Sequence, residues 1–89
     1  MDAEFFHELG KLQNLNSFFL RSETKLGAEI QPLLNAKKLK KVFIQHLDEQ
    51  AIQLLLKMDL FRLMTKLKDH SPETIKKMKA RVENFGDFY

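Results

Sequence analysis

Cysteine is absent from this 89-residue chain, and only three glycines and two prolines interrupt it. Without cysteine the chain forms no disulfide and no thiolate metal site, which excludes the small disulfide-framed secreted scaffolds. Val and Ile are scarce beside Leu, Lys, Glu, Gln and Met, so the composition favours helices over a sheet. We therefore predict an all-α protein in a cytoplasmic or other reducing intracellular compartment.

The chain also lacks a long hydrophobic run. Its most apolar stretch, residues 51–67, contains four charged side chains, which makes it too short and too charged to span a bilayer. The N-terminus opens with Asp2 and Glu4 and has no continuous apolar segment, so it does not read as a signal peptide. We therefore predict no membrane insertion and a single domain over residues 1–89.

The apolar residues that are present recur at three- and four-residue spacing, which predicts amphipathic helices. We expect four helices, over about 2–21, 32–47, 48–68 and 71–85, and a short helical turn near residues 24–31. No internal repeat is recognised. The predicted fold is therefore an all-α, small four-helix bundle with an extra short helical turn.

Each predicted helix presents an apolar stripe to the core. The stripe of the first helix consists of Phe5, Leu9, Leu12, Leu15 and Phe19. The buried line of the second helix consists of Leu39, Phe43 and Leu47. The third helix is apolar almost all round, so we place it at the centre of the bundle. Asp48 is the predicted N-cap of the third helix, and Ser71, followed by Pro72, is that of the fourth.

Residue types that enzymes use occur in the chain without the spacing that catalysis needs. His7, His46 and His70 include no helical metal-binding pair, and no cysteine accompanies them. The serines lie outside any nucleophile elbow, and the glycines stand alone instead of forming a phosphate-binding loop. We therefore expect no enzyme, no catalytic residue, no metal, no cofactor and no small-molecule substrate.

Apolar side chains that lie off the predicted stripes are candidates for a protein-binding surface. The six candidates are Phe18, Leu54, Met58, Phe61, Phe88 and Tyr89. Methionine and aromatic side chains suit a surface that receives a partner, although several of these residues could instead complete the core of so short a chain. We expect a non-enzymatic regulatory or adaptor domain that binds another protein or, as a homodimer, its own copy.

The distribution of charge favours a second hypothesis. Residues 1–36 contain three basic and five acidic side chains, a net charge of −2, whereas residues 37–89 contain twelve and seven, a net charge of +5. Cations in such a region could contact phosphates without reading base sequence. The candidate nucleic-acid-binding residues are Lys37, Lys38, Lys41, Thr74, Lys76, Lys77, Lys79 and Arg81.

Residues 71–76 read Ser-Pro-Glu-Thr-Ile-Lys, which resembles the Ser-x-x-Thr-Val/Ile-Lys run that opens the recognition helix in some helix-turn-helix proteins. The resemblance covers about a quarter of the chain, with helices at about 59–68 and 71–85. It departs from the family pattern at Met64, where a small residue is usual, and in a turn that contains no glycine. The resemblance implies a small DNA-binding regulator as the alternative function.

Overall fold

The computed structural model describes residues 3–88 and shows an α/β protein, so the prediction of an all-α bundle is wrong. In chain order the elements are α1 (Ala3–Gly10), β1 (Ser17–Leu20), a first 3₁₀ helix (Ala28–Asn35), β2 (Lys41–Ile44), α2 (Glu49–Leu55), β3 (Arg62–Thr65), a second 3₁₀ helix (Leu67–Asp69), α3 (Pro72–Arg81) and β4 (Asn84–Asp87).

Each predicted helix is shorter than expected, because a strand takes up part of its range. The first ends at Gly10, the third ends at Leu55 and the fourth ends at Arg81, and β1, β3 and β4 follow them. The range predicted for the second helix contains β2, and the helix that precedes β2 is the first 3₁₀ helix, which begins before residue 32. The short helical turn expected near residues 24–31 overlaps the start of that 3₁₀ helix.

The four strands form one parallel sheet in the order in which they occur along the chain. Ser17 pairs with Lys41, Lys41 with Arg62, and Arg62 with Asn84, so equivalent positions recur after 24, 21 and 22 residues. A helix precedes every strand. The chain is therefore a short solenoid of four helix–strand units, and the expectation that it contains no repeat is wrong.

Inward-facing side chains at three positions in each unit fill the space between sheet and helices. Two residues before each strand lie Leu15, Leu39, Leu60 and Val82. At the second position of each strand lie Phe18, Val42, Leu63 and Phe85. At the fourth position lie Leu20, Ile44, Thr65 and Asp87. All but five of these twelve side chains are buried, and only Asp87 is fully at the surface.

Local capping explains where α2 and α3 begin. The Asp48 side chain accepts a hydrogen bond from the Ala51 backbone N–H at 2.9 Å, and Ser71 Oγ accepts one from Thr74 N–H at 3.2 Å. Both predicted N-caps are therefore confirmed. Gly27 packs so closely against the Asp48 carboxylate that a Cβ there would collide with it, so the cap requires glycine at this position.

Within residues 3–88, no helix is long and apolar enough to cross a membrane.

Candidate protein-binding face

The outward face of the sheet carries an uninterrupted apolar row. Because successive side chains of a strand point to opposite faces, the third position of each strand turns away from the core. Register pairs Phe19 with Phe43, Phe43 with Met64, and Met64 with Gly86 along this row. Phe19 is 61% exposed, the largest fraction among the large apolar side chains that the structure describes.

Phe88, just after β4, folds over this row and closes one side of a groove. Its ring centroid lies 5.4 Å from that of Phe19, which in turn lies 6.0 Å from that of Phe43. Although it is an aromatic residue at the end of the chain, Phe88 is only 4% exposed. The groove has a volume of about 190 Å³ and is lined by Phe19, Phe43, Arg62, Met64, Asp87 and Phe88.

Gly86 leaves room for the Met64 side chain, which lines the groove. A Cβ at position 86 would lie 3.0 Å from Met64 Sδ and 3.3 Å from its terminal methyl, so any larger residue would push the methionine side chain aside. The row therefore falls from two phenylalanines through a methionine to a glycine, and the Phe88 ring lies beside that of Phe19, at the end of the row opposite the glycine.

Cations flank the apolar row on both sides. The outward positions two residues before the row are Ser17, Lys41, Arg62 and Asn84. The positions two residues after it are Arg21, Gln45, Lys66 and Phe88, where backbone hydrogen bonds to Leu20, Gln45 and Thr65 continue the ladder. These eight positions hold four cations and no acid, so the face is apolar along its middle and positive along both margins.

Among the flanking cations, Arg62 has a buried hydrogen-bond donor that lacks an acceptor within residues 3–88. It lines the groove, and its Nε is buried without a hydrogen-bond acceptor among residues 3–88. Asp87, the one acid in the lining, accepts a hydrogen bond from the Leu67 backbone N–H at 3.1 Å through Oδ1. A buried donor without a partner costs free energy, so the position of the Arg62 side chain lowers the stability of this side of the groove.

The six predicted protein-binding residues do not form one surface. Phe18 faces inward, where its ring lies 6.2 Å from that of Phe6, and Leu54 and Met58 pack against the core. Phe61 is 41% exposed but lies just before β3, away from the groove lining. Phe88 lies in the groove, and Tyr89 falls outside the described residues.

The predicted nucleic-acid-binding residues are likewise divided. Lys37 and Lys38 lie in the turn before β2, and Lys41 belongs to the outward face of that strand. The other five, Thr74, Lys76, Lys77, Lys79 and Arg81, lie on α3. Thr74 Oγ1 contacts both carboxylate oxygens of Glu49, at 3.1 and 3.2 Å, and Arg81 donates to the Leu56 carbonyl at 2.8 Å.

The helix-turn-helix frame that would present these α3 residues to DNA is not formed. Residues 59–68 contain a loop, strand β3 and part of the second 3₁₀ helix instead of a continuous first helix. The apolar residues there alternate between the two faces of a sheet, which a helix cannot satisfy. Ser71, Pro72 and Glu73 open a capped helix that closes the last unit of the solenoid.

The histidines and carboxylates that follow β2 and β3 form a polar cluster that the sequence did not predict. His46 Nδ1 donates to Asp69 Oδ2 at 2.6 Å, and His70 Nδ1 lies 3.6 Å from Glu49 Oε1. The His70 side chain is 1% exposed. Among the described residues, no group of three or more histidines and carboxylates is placed to hold a metal ion.

Burial alone would raise the pKa of Asp69, but the hydrogen bond from His46 and the electrostatic effects of His46, Lys25 and His70 together outweigh it. The pKa of Asp69 therefore lies below its ordinary value. A carboxyl whose pKa is depressed on folding stabilises the folded state above its unfolded pKa, and the contribution disappears as pH falls through the folded pKa.

Asp69→Asn is therefore expected to lower the free energy of unfolding by about 1 kcal/mol near neutral pH, because it weakens a charge-assisted hydrogen bond that solvent partly screens. The difference from the unsubstituted protein should shrink below pH 4 and vanish once Asp69 itself is protonated. Urea unfolding across this pH range measures it. Asp59→Asn, which removes a fully exposed carboxylate, is the control and should leave the pH profile unchanged. A constant Asp69→Asn effect at every pH would contradict the assignment.

Comparison with protein-family models, with curated proteins and with solved structures finds no match for this chain.

Proposed function

We propose that this protein is a non-catalytic regulatory or adaptor module that binds a segment of another protein on the outward face of its sheet. The observation that carries the proposal is the outward apolar row of Phe19, Phe43 and Met64, in which Phe19 is 61% exposed and Phe43 and Met64 are half-buried. An exposed apolar row bounded by polar groups is typical of a protein-binding surface, and solenoids commonly bind partners on their sheet face.

The positive charges on the margins of the face indicate which class of partner it binds. Lys41 and Arg62 on one margin and Arg21 and Lys66 on the other favour an acidic segment. The groove between them is apolar and small, so it fits one aromatic or aliphatic side chain at a time. We therefore propose a partner segment in which an apolar residue is flanked by Asp or Glu, with one carboxylate pairing with the guanidinium of Arg62, which lines the groove.

The lining of the groove supports binding without catalysis. The residues that line it are three phenylalanines, one methionine, one arginine and one aspartate, with no serine, cysteine or histidine among them. A nucleophile and a positioned base are what acyl- or phosphoryl-transfer chemistry needs, and this lining offers only an electrostatic and apolar contact surface.

Selection from a random-sequence displayed peptide library tests the proposal. The immobilised protein is expected to enrich peptides with Phe, Trp or Leu beside Asp or Glu. Phe19→Ser should lose this enrichment, because it removes the exposed ring of the row. Phe61→Ser is the matched control, since Phe61 is an exposed phenylalanine of comparable size that lies away from the groove.

A fluorescent mixed-sequence DNA duplex measures the competing hypothesis in the same buffer. Duplex binding that falls steeply with salt and is lost in the Lys76→Ala/Lys77→Ala/Lys79→Ala variant would favour a nucleic-acid partner instead. Enrichment of basic peptides, or enrichment that survives Phe19→Ser, would contradict the proposed binding face.

A further inference from the structure

Within residues 3–88, the two edge strands of the sheet, β1 and β4, each pair with a strand on one side only. The Asn84 N–H donates to the Phe61 carbonyl, and the Phe88 N–H donates to the Thr65 carbonyl. The alternate residues, Phe85 and Asp87, therefore turn their backbone N–H and C=O groups away from β3. No backbone hydrogen bond on that outer side is present among residues 3–88. An exposed strand edge of this kind is a template on which a further strand can pair.

The opposite edge of the sheet is β1, which also turns backbone N–H and C=O groups outward. The carbonyls of Asn16 and Leu20 accept from Lys41 and Gln45 of the next unit, so Ser17 and Phe19 turn their backbone groups outward. Ser17 is exposed, and its side chain forms no hydrogen bond within the described part of the chain. The first strand can therefore receive a neighbour as readily as the last one can.

The order of the elements allows the β4 edge of one copy to pair with the β1 edge of another. Each strand follows its own helix, so the solenoid begins with α1 and β1 and ends with α3 and β4. A second copy placed next in line would set its β1 beside β4, parallel to it, and its α1 beside α3. Its Phe19 would then lie next to Gly86, extending the apolar row by the same register that relates one unit to the next.

The charges on the two end helices are complementary. On α3, Thr74 and Arg81 contact α2, and at about 100° per residue Lys76 and Lys79 lie roughly opposite them, on the open end. On α1, Gly10 packs against Pro32, and at about 100° per residue Glu8 lies roughly opposite Gly10, with Glu4 one turn earlier. Among the described residues neither Lys76 nor Lys79 forms an ion pair, and the Glu8 contact with Lys11 is exposed and exchangeable.

We propose that the protein associates end to end with a second copy of itself, β4 of one protomer pairing with β1 of the next. The contact joins two different surfaces, so it leaves one β1 edge and one β4 edge exposed in every assembly, and growth continues beyond a dimer. This partner is distinct from the peptide segment of the preceding section, because it uses the strand edges and helix ends instead of the groove.

Light scattering across micromolar to millimolar protein concentrations tests the proposal. The unsubstituted protein should rise in average mass above the 10.5 kDa of one chain without levelling off at a dimer. Ser17→Pro should stay monomeric, because proline removes only the outward N–H of an edge strand and its ring blocks a neighbouring strand. Ser17→Ala keeps that N–H and should associate as the unsubstituted protein does.

Charge reversal provides a second test that does not depend on proline being tolerated in β1. Glu4→Lys/Glu8→Lys should weaken association about tenfold or more by placing like charges at the contact. Adding Lys76→Glu/Lys79→Glu to the same chain makes the ends complementary again and should restore it. In about 1 M salt, where the Debye length is near 3 Å, the effect of either reversal should largely disappear.

Three results would overturn the proposal: a monomer at every concentration, association of folded Ser17→Pro equal to that of Ser17→Ala, or no rescue by the fourfold reversal. A mass that stops at a dimer would also overturn it, since a symmetric contact would then be responsible. Peptide enrichment on the outward face is measured separately with the same variants, so either proposal can fail while the other stands.

Discussion

Ile44→Ala is expected to lower the free energy of unfolding by about 3 kcal/mol, within the range for a buried aliphatic side chain that leaves a cavity. Ile44 is fully buried on the inner face of β2. Phe43→Ala, one position earlier, should cost no more than about 1 kcal/mol, because Phe43 faces outward and loses mainly its contact with Phe19. Urea unfolding of the two variants measures both values.

The order of these two effects separates a strand from a helix. A helix through this segment places Phe43 on the buried line with Leu39 and Leu47 and leaves Ile44 well off it, so Phe43→Ala would be the more damaging change. The parallel strand reverses that order because its side chains alternate between faces. Equal costs, or a larger cost for Phe43→Ala, would contradict the position of β2.

Phe19→Ser is expected to weaken binding of a selected acidic peptide by about thirtyfold, the effect of losing one central aromatic contact of about 2 kcal/mol. The free energy of unfolding should change little, since the ring is mostly exposed. Isothermal titration of the peptide measures the affinity. Phe61→Ser should leave affinity within about twofold of the unsubstituted protein, because the loss of an exposed ring elsewhere removes no contact with the peptide.

Arg62→Ala is the companion variant for the charged margin of the face. It should weaken the same peptide and also reduce the dependence of affinity on salt, because it removes a cation that contacts a partner carboxylate. A thirtyfold loss in Phe61→Ser, or full affinity in Phe19→Ser, would place the binding site elsewhere on the molecule.

Local signals in the sequence located two helix starts correctly. Asp48 and Ser71 are hydrogen-bond acceptors that satisfy the first backbone donors of a helix, and their effect depends only on residues three positions away. The proline after Ser71 fits the first helical position for the same local reason. Interactions between residues so close in sequence can be predicted from one sequence, which is why α2 and α3 begin where they were predicted.

The strands were missed because their apolar spacing imitates a helix. In each unit an inward residue is followed by others three and then two positions later, as at Leu39, Val42 and Ile44. The three-residue step fits an amphipathic helix, and the two-residue step identifies a strand. In the later units Thr65 and Asp87 occupy that last position, so hydropathy alone did not reveal the alternation.

The candidate site was only partly visible for a related reason. Phe88 is one of the six predicted protein-binding residues, and it lies in the groove. Phe19 and Phe43 were instead assigned to buried helical stripes, because a helix places them three or four residues from other apolar side chains. Their exposure follows from pairing between strands more than 20 residues apart, and local spacing carries no information about such pairing.

Cross-strand nuclear Overhauser effects in the protein in solution distinguish a parallel sheet from a helical bundle. The register of the sheet requires backbone contacts between residue 43 and its partners at 19 and 64, and between residues 63 and 85. A continuous run of contacts between residues three apart through 59–68, with none between these pairs, is the signature of a helix and would contradict the fold and the binding face built on it.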